Sequence, residues 1–248
     1  MLEVESVVKI MQYSMLSNEG NREYNEDYVV YCICKEKACF VLADGLGGHG
    51  KGEIASKYVC ESVIEDFEKN GDVFILEKAI QNAQKRLLQL QKEMNYNVGM
   101  KTTIVILYIN GDNAQWAHIG DSRLYLWNRW RIVERTFDHS VPQMLVLARE
   151  LKEKEIRFHE DRNRLLRAMG NENDNLKADI SKVTKCKKGQ SFLLCSDGFW
   201  EYIDEKKMQT QYLVAKTPEE WLRRMERIVC KNGKDSNMDN YSAIAVWL

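Results

Sequence analysis

Four short segments rich in branched and aromatic residues follow one another in the middle of the chain, and only turns of a few residues separate them. The first of these turns, Asn110-Gly111-Asp112-Asn113, has the polar and glycine residues that favour a hairpin. Because a parallel connection needs a long crossover, links this short permit only antiparallel neighbours. The sequence therefore predicts an antiparallel sheet, with strands at 102–109, 114–119, 123–127 and 131–135.

Further strand and helix patterns flank this run. The segments 28–34 and 38–43, separated by three charged residues, predict another β-hairpin. Apolar residues near helical spacing predict helices over 52–69 and 73–94. Hairpins interrupted by pairs of helices are typical of an α+β layered fold and not of a doubly wound parallel sheet. The remaining predicted elements are helices at 141–154, 161–169, 205–213 and 218–231, and strands at 178–184, 191–195 and 241–248.

Composition limits the domain number and the classes of partner. The chain has 248 residues, of which 44% are hydrophobic, enough to close a substantial core. Two prolines and no Ser/Gly-rich stretch leave no visible linker, which predicts a single domain over 1–248. With 36 basic and 37 acidic residues, the net charge of -1 gives no global field that favours nucleic acid or an anionic membrane. We expect neither as a partner, so that the function resides in a local site.

Cysteine usage and the first residues indicate the compartment. The seven cysteines form an odd set, and the one close pair, Cys32-x-Cys34, has the wrong spacing for a zinc knuckle, which predicts reduced thiols. The start of the chain carries Glu3 and Glu5 where a signal peptide needs basic charge. The longest apolar stretch, 104–109, is far shorter than the roughly 18 residues that span a bilayer. We expect a soluble, cytoplasmic protein.

Acidic residues recur where predicted strands end. Asp44, Asp121 and Asp197 each follow such a strand and each adjoin a glycine, which lets backbone approach closely. Asp-Gly is also a common turn, so any one of these taken alone is more typical of a turn than of a site. The segment Asn25-Glu26-Asp27 and the pair Asp239-Asn240 lie at equivalent strand boundaries.

Several carboxylates from distant segments would repel one another if they converged. Such a cluster is expected to hold cations or protons. The ligands would all be oxygen atoms, with no Cys or His cluster, which suits Mg²⁺ or Mn²⁺ better than zinc.

A dinucleotide-binding fingerprint is also formally present, because Gly45-x-Gly47-x-x-Gly50 follows a predicted strand and precedes a predicted helix. The acidic candidates about 20 residues further on, Glu65 and Asp66, lie inside the predicted helix, and no βαβ series follows. We interpret this spacing as coincidental.

An ordered set of motifs strongly resembles the bacterial type 2C family of metal-dependent protein serine/threonine phosphatases, from about residue 12 to the C-terminus. The motifs are NREYNED (21–27), VLADGLGGHGKGEIAS (41–56), GMKTTIVILYI (99–109), AHIGDSRLYLW (117–127), DHS (138–140), RNRLLRAMG (162–170), LLCSDGFWEYI (193–203) and DNYSAIAVW (239–247). The resemblance implies a central sandwich of two antiparallel β-sheets, flanked by helices on both outer faces, with a metal centre at one end.

The resemblance also implies roles for individual residues. Asp44 would bridge two metal ions and also serve in catalysis, and Gly45 would lend its carbonyl oxygen. Arg22 would bind the substrate phosphate, since its planar fork can bond two phosphate oxygens at once. The other expected metal contacts are Asp197 and Asp239 at the first metal, Glu26 and Asp27 through water or in the outer shell, and Asp121 with Asp197 at a third, weaker metal.

The implied activity is hydrolysis of phosphoserine and phosphothreonine in proteins. Two Mn²⁺ or Mg²⁺ ions would supply hydroxide from a bound water. Leu46 stands where some eukaryotic relatives have a histidine, so the proton donor is left open between His49 and metal-bound water. The segment at about 138–170 corresponds to the family's flap and is expected to be a helical insert.

By the same resemblance we expect a monomer that acts on phosphoproteins in opposition to a separate Ser/Thr kinase. The alternative is a phosphatase-like module that binds a phosphoprotein or another partner without turnover. Loss of metal-ligand residues would be the mark of that alternative, and all the expected ligand positions are present.

Overall fold

The computed structural model describes residues 11–47, 51–95, 99–172 and 176–248, which form two antiparallel sheets covered by helices. In chain order the strands are β1 (Gln12–Asn18), β2 (Asp27–Cys34), β3 (Lys37–Leu46), β4 (Lys101–Thr102), β5 (Ile104–Asn110), β6 (Asn113–Ile119), β7 (Arg123–Asn128), β8 (Arg131–Arg135), β9 (Asp179–Ile180), β10 (Thr184–Lys185), β11 (Gln190–Cys195) and β12 (Tyr241–Trp247). The α-helices are α1 (Lys51–Asn70), α2 (Leu76–Glu93), α3 (Val141–Leu147), α4 (Asp197–Trp200), α5 (Glu205–Val214) and α6 (Pro218–Gly233).

The first sheet has the strand order β1-β12-β11-β7-β8, and the second has β10-β6-β5-β3-β2. The short strands β4 and β9 pair with β3 and β6 at the margins of the second sheet. Every pair of neighbouring strands is antiparallel, as the short turns require.

Side-chain alternation along β3 shows how the layers are built. Phe40 and Leu42 point into the space between the two sheets and pack with residues of the first sheet such as Leu126. Val41 points to the opposite face and packs with α1 and α2, as do the residues two positions before and after it in β3. Because successive side chains of a strand face opposite sides, this one strand contributes to two cores.

A third core lies on the outer face of the first sheet. There Trp127 of β7 packs edge-on against Trp221 of α6, with ring centroids 5.0 Å apart, and Met225 of the same helix is fully buried beside them. Helix α6 starts at Pro218, and the side chain of Thr217 caps it by accepting a hydrogen bond from the Glu220 amide at 3.1 Å. Three cores between four layers confirm the predicted α-β-β-α sandwich, with helices on both outer faces.

Several predicted elements are wrong in extent or type. The segment predicted as a helix at 161–169 contains no helix, and two β-bridges, Ser140 with Leu165 and Thr102 with Met169, hold it extended. The helix predicted at 141–154 ends at Leu147 and gives way to a 3-10 helix over Glu153–Phe158. The first departure follows from bonds to distant segments, which a local pattern does not contain. The second is a local helix end, where Arg149 has a φ of 64° and its amide donates to the Val146 carbonyl at 3.0 Å.

Other differences are smaller. The helix predicted from residue 73 begins at Leu76, after a 3-10 turn, and the strand predicted over 178–184 is reduced to the two short strands β9 and β10. Strand β1 and the four-residue helix α4 had no prediction. Among the described helices, none is both long enough and apolar enough to cross a membrane. All seven cysteines are free, as expected.

Candidate metal centre

Three of the predicted acidic residues meet at one end of the sandwich. Asp44 near the end of β3, Asp121 in the turn after β6 and Asp197 at the start of α4 each place a carboxylate oxygen within 4.8 Å of the others. Asp44 lies inside β3, which runs on to Leu46, and not after the strand as predicted. Three segments far apart in sequence therefore converge, which the sequence alone could not show.

Asp27 lies beside this cluster, directly opposite Asp44 in the register of β2 and β3. Its side chain is buried, and its Oδ2 accepts a hydrogen bond of 2.7 Å from the Ser196 hydroxyl. Its other oxygen, Oδ1, is buried and has no hydrogen-bond partner among the described residues. A buried carboxylate oxygen without a partner is costly, and a cation would offset this cost.

Glu26 gives a second such oxygen, since its Oε1 is also buried and without a hydrogen-bond partner within the described part of the chain. The backbone of Glu26 is fixed by Asn240, whose side-chain oxygen accepts from the Glu26 amide at 2.8 Å. The side-chain amide of Asn240 donates to the carbonyls of Glu19 and Tyr24, both at 2.9 Å. Asn240 thus anchors the loop that carries Arg22 and Glu26, a role that the sequence analysis did not assign.

Arg22 and Asp239 form an ion pair of 2.9 Å at the rim of the same cleft, and their side chains are 44% and 42% exposed. The cleft has a volume of about 360 Å³. It is lined by Arg22, Glu23, Tyr24, Glu26, Asp44, Gly45, Leu46, Asp121, Asn163, Leu165, Asp197, Asp239 and Asn240. Every predicted site residue therefore lines this cleft, except Asp27, which lies behind Asp44.

Gly45 is required for close packing at the cleft. Its amide donates to the carbonyl of Glu26 at 3.0 Å. A Cβ at position 45 would overlap the backbone of Gly52 at the start of α1 and lie 2.7 Å from the Glu26 carbonyl oxygen. The lack of a side chain lets three backbone segments meet beside the carboxylates.

The electrostatics of the cluster favour cations. Burial, opposed by hydrogen bonds from two serines, raises the pKa of Asp27 to about 7. Burial and the neighbouring carboxylates raise the pKa of Asp44, Asp121 and Asp197 above the usual range. The oxygen-only donor set and the two unpartnered carboxylate oxygens fit a hard divalent cation such as Mn²⁺ or Mg²⁺.

Further residues that the sequence analysis did not single out hold the acidic residues of the cleft in place. The Thr103 hydroxyl accepts from the Asp44 amide at 2.9 Å and lies 2.8 Å from the Ser122 hydroxyl. The indole of Trp200 donates to the carbonyl of Asp121 at 3.0 Å. The motifs around Asp121 and Asp197 contained Ser122 and Trp200, but their contacts depend on the fold.

The segment 138–170 lies against the cleft. Its first residue, Asp138, makes two hydrogen bonds, of 2.8 and 2.6 Å, with the buried Arg123 of β7. The next residue, His139, donates its backbone amide to the Gly120 carbonyl at 2.9 Å and accepts from the Gly120 amide on its ring Nδ1 at 3.2 Å. Further along, Asn163 and Leu165 line the cleft. This segment is therefore joined to the strand end that carries Asp121.

None of the described histidines belongs to the carboxylate cluster. His118, His139 and Asp179 form a separate group whose possible ligand atoms lie within 4.8 Å of one another. Because the Gly120 amide donates to Nδ1 of His139, the ring proton lies on Nε2, which faces Asp179 at 3.3 Å. This group is a hydrogen-bonded cluster, and His49 lies outside the described residues.

Comparison with known proteins gives consistent matches. The family model described as Protein phosphatase 2C matches residues 16–240. The serine/threonine protein phosphatase PstP of Mycobacterium tuberculosis is 28% identical over 234 residues, which are 93% of this chain and 44% of that protein. The chain thus spans less than half the length of that relative. Protein phosphatase PhpP of Streptococcus pneumoniae is 31% identical over 203 residues, which are 78% of this chain and 80% of that protein.

Solved structures show the same fold. The serine/threonine phosphatase Stp1 from Staphylococcus aureus matches with a TM-score of 0.85 and 26% identity, covering 100% of this chain and 98% of that one. The catalytic domain of the phosphatase PstP, solved in complex with two manganese ions, matches with a TM-score of 0.81 and 24% identity, covering 96% of this chain and 97% of that one. The second match bears on the fold alone.

Proposed function

Because the chain belongs to the protein phosphatase 2C family, we propose that it is a metal-dependent phosphatase that removes phosphate from phosphoserine and phosphothreonine in proteins. The observation that carries this proposal is the convergence of Asp44, Asp121 and Asp197 beside the unpartnered oxygen of Asp27. The serine/threonine phosphatases PstP and Stp1, to which the chain is similar, support the substrate class.

Two divalent cations, Mn²⁺ or Mg²⁺, would be held by the carboxylates of the cleft, and a third would bind more weakly. When bound, such ions supply hydroxide at neutral pH by lowering the pKa of a water toward roughly 7. The residues proposed to hold the ions are Asp44, Asp197, Asp239 and the carbonyl of Gly45, with Glu26 and Asp27 acting through water and Asp121 at the third site.

Arg22 is proposed to bind the phosphate. It lies at the rim of the cleft, and its partner Asp239 holds the guanidinium toward the carboxylates. A phosphate dianion would be repelled by the bare carboxylates, so Arg22 provides the positive charge that this chain itself contributes to substrate binding.

The closing wall of the cleft comes from the segment 138–170. Asn163 and Leu165 line the cleft together with the acidic residues, so this segment would act as the flap that faces the phosphoprotein around the phosphorylated residue. We propose that residues 1–248 form one catalytic domain with this segment as its insert.

The setting of the protein is also part of the proposal. We propose a monomer that opposes a Ser/Thr kinase in the cytoplasm. The free state of all seven cysteines supports a reducing compartment. The alternative, a module that binds without turnover, is not favoured, because every proposed ligand position carries an oxygen donor in the cleft or, for Asp27, next to it.

Hydrolysis of a phosphothreonine peptide tests the proposal. Purified protein is assayed with Mn²⁺, with Mg²⁺ and with chelator, beside the variants Asp197→Ala and Asp235→Ala, the second an exposed aspartate outside the cleft. We expect turnover that requires metal, that Asp197→Ala abolishes and that Asp235→Ala retains. Folded, metal-loaded protein that binds the phosphopeptide without turnover would support the binding module instead.

A further inference from the structure

A cluster of positive charge around an exposed tryptophan lies at the end of the sandwich opposite the metal centre. The two-residue turn between β7 and β8 carries Arg129 and Trp130, and Arg131 begins β8. Lys187 and Lys188 lie beside this turn, before β11. We call these five residues the basic tip.

One backbone hydrogen bond joins the two parts of the basic tip. The Arg129 amide donates to the carbonyl of Gly189 at 3.2 Å, which sets the hairpin turn against the Lys187–Lys188 segment. Between them lies a cleft of about 500 Å³ whose lining contains four cationic residues, Asn128 and Trp130, and no acidic residue. Segments 56 residues or more apart in sequence thus build one surface.

The charges of the basic tip are available for a partner. All four cationic side chains are exposed, and none of them forms an ion pair with any described residue. The net charge of the whole chain is only -1, so the positive charge of these four unpaired cations is local to the basic tip and does not reflect the overall composition. The expectation that no membrane partner exists rested on that average.

Trp130 gives the basic tip its apolar component. It is 71% exposed, among the most exposed large hydrophobic residues of the chain, and the described residues make no ring contact with it. It lies at the apex of a turn between two arginines. An exposed indole at the apex of a turn, flanked by cations, suits the water–lipid interface, where tryptophan is favoured and Lys and Arg meet anionic headgroups.

We propose that the basic tip docks this protein reversibly on an anionic phospholipid surface. Trp130 enters the interfacial layer, and Arg129, Arg131, Lys187 and Lys188 lie at the level of the lipid phosphates. A protein partner is less well suited, because the lining offers a single apolar anchor and no second large apolar side chain beside it.

The position of the basic tip leaves the metal centre free. Strands β7 and β11 connect the two ends: Asn128 pairs with Gln190 at the basic tip, and Arg123 pairs with Cys195 next to the metal centre. Five residue steps of strand correspond to roughly 17 Å. A docked molecule would therefore present its cleft away from the lipid, toward substrates at the membrane surface. This inference does not depend on the proposed phosphatase activity.

Vesicle co-sedimentation of the whole chain tests the proposal. The vesicles contain either phosphatidylcholine alone or equal parts of phosphatidylcholine and phosphatidylglycerol. One variant carries Arg131→Gln, Lys187→Gln and Lys188→Gln together, and another carries Trp130→Ala; Arg129 is kept because its φ of 57° disfavours most replacements. The matched charge control combines Lys57→Gln, Lys78→Gln and Lys85→Gln, exposed lysines on α1 and α2, and the aromatic control is Phe158→Ala.

We expect the wild type to sediment with anionic vesicles and not with neutral ones, and to be released by high salt. The triple variant of the basic tip should bind about tenfold more weakly or worse, and Trp130→Ala several-fold more weakly, while both controls bind as the wild type does. Equal binding to both kinds of vesicle, or equal losses in the two triple variants, would overturn the proposal. Binding to polyglutamate without binding to anionic vesicles would overturn it in favour of an acidic protein partner.

Discussion

Asp27 and Asp44 lie directly opposite each other on the antiparallel strands β2 and β3. Like charges in this position destabilise a sheet. Asp27 is buried and Asp44 is half-buried in a cluster with Asp121 and Asp197, and desolvation raises the pKa of both carboxyl groups. The sheet therefore holds mutually repelling carboxyl groups together at one end. Bound cations would compensate this repulsion.

Removing one charge from the cluster should stabilise the metal-free protein. We expect Asp44→Asn to raise the thermal midpoint without metal by roughly 2–4 °C, corresponding to about 1 kcal/mol for a chain of this size. The same variant should lose most of the further rise that Mn²⁺ gives the wild type. Calorimetry with and without Mn²⁺ measures both, and Asp235→Asn serves as the control. A metal-free Asp44→Asn protein less stable than the wild type would contradict the repulsion.

The serine that bonds Asp27 should tune metal affinity. Ser196→Ala removes the 2.7 Å hydrogen bond to Oδ2 of Asp27, whose Oδ1 already has no partner among the described residues. Groups that orient ligands in this way typically change metal affinity by about 10- to 100-fold when removed, so the dissociation constant for Mn²⁺ should rise by at least about tenfold. Titration calorimetry measures it.

The matched control for this variant is Ser191→Ala, near the far end of β11, the strand that Ser196 directly follows. Ser191 is buried too, and its hydroxyl lies 2.9 Å from that of Tyr212, away from the cleft. An equal loss of Mn²⁺ affinity in both variants would mean that the effect of Ser196→Ala is general destabilisation of β11.

Arg22 should act on substrate binding through its shape as well as its charge. Arg22→Lys keeps the positive charge but loses the planar fork. Losing one charge-assisted hydrogen bond corresponds to roughly 1.5–3 kcal/mol, so kcat/KM for a phosphothreonine peptide should fall by about tenfold or more. Steady-state kinetics measures this, with the exposed Arg223→Lys as control. Unchanged kcat/KM in Arg22→Lys would remove Arg22 from the proposed phosphate site.

His139 should make the fold sensitive to acid. Burial and the neighbouring His118 lower its pKa to about 4, against about 6.5 in an unfolded chain. The folded state thus disfavours the charged imidazole. The free energy of unfolding therefore decreases as pH falls from about 6.5 toward 4. The full loss is roughly 3 kcal/mol. Urea unfolding at several pH values in this range measures the free energy of unfolding of wild type and of His139→Gln. We expect that free energy to decrease less steeply in the variant, and parallel curves would contradict this account.

The acidic residues that converge in the cleft could be predicted from the sequence because they sit in short motifs at strand ends, whereas their role as metal ligands stays a prediction. Asp44, Asp121 and Asp197 could each be chosen from a strand pattern that ends beside a glycine, and the family resemblance connected them. The hydrogen bond from Ser196 to Asp27 could not be predicted, since it joins side chains 169 positions apart. Local periodicity has no access to such pairings.

The same limit explains the principal error in the fold. Residues 161–169 have a composition that permits a helix, but Met169 exchanges two backbone hydrogen bonds with Thr102, at 3.2 and 2.8 Å. The amide of Val141 also donates to the carbonyl of Arg164 at 3.0 Å. These long-range bonds hold the segment extended against the cleft, and tertiary contacts override helix propensity there.

The most direct test of the metal centre is diffraction from crystals grown with Mn²⁺, with anomalous differences recorded near the manganese absorption edge. We predict two strong anomalous peaks within ligand distance of Asp44, Asp197 and Asp239, with a weaker third peak beside Asp121. Asp197→Ala crystals grown in the same way should lose at least one of the strong peaks. Wild-type crystals grown with excess Mn²⁺ that give no anomalous peak in this cleft would contradict the account.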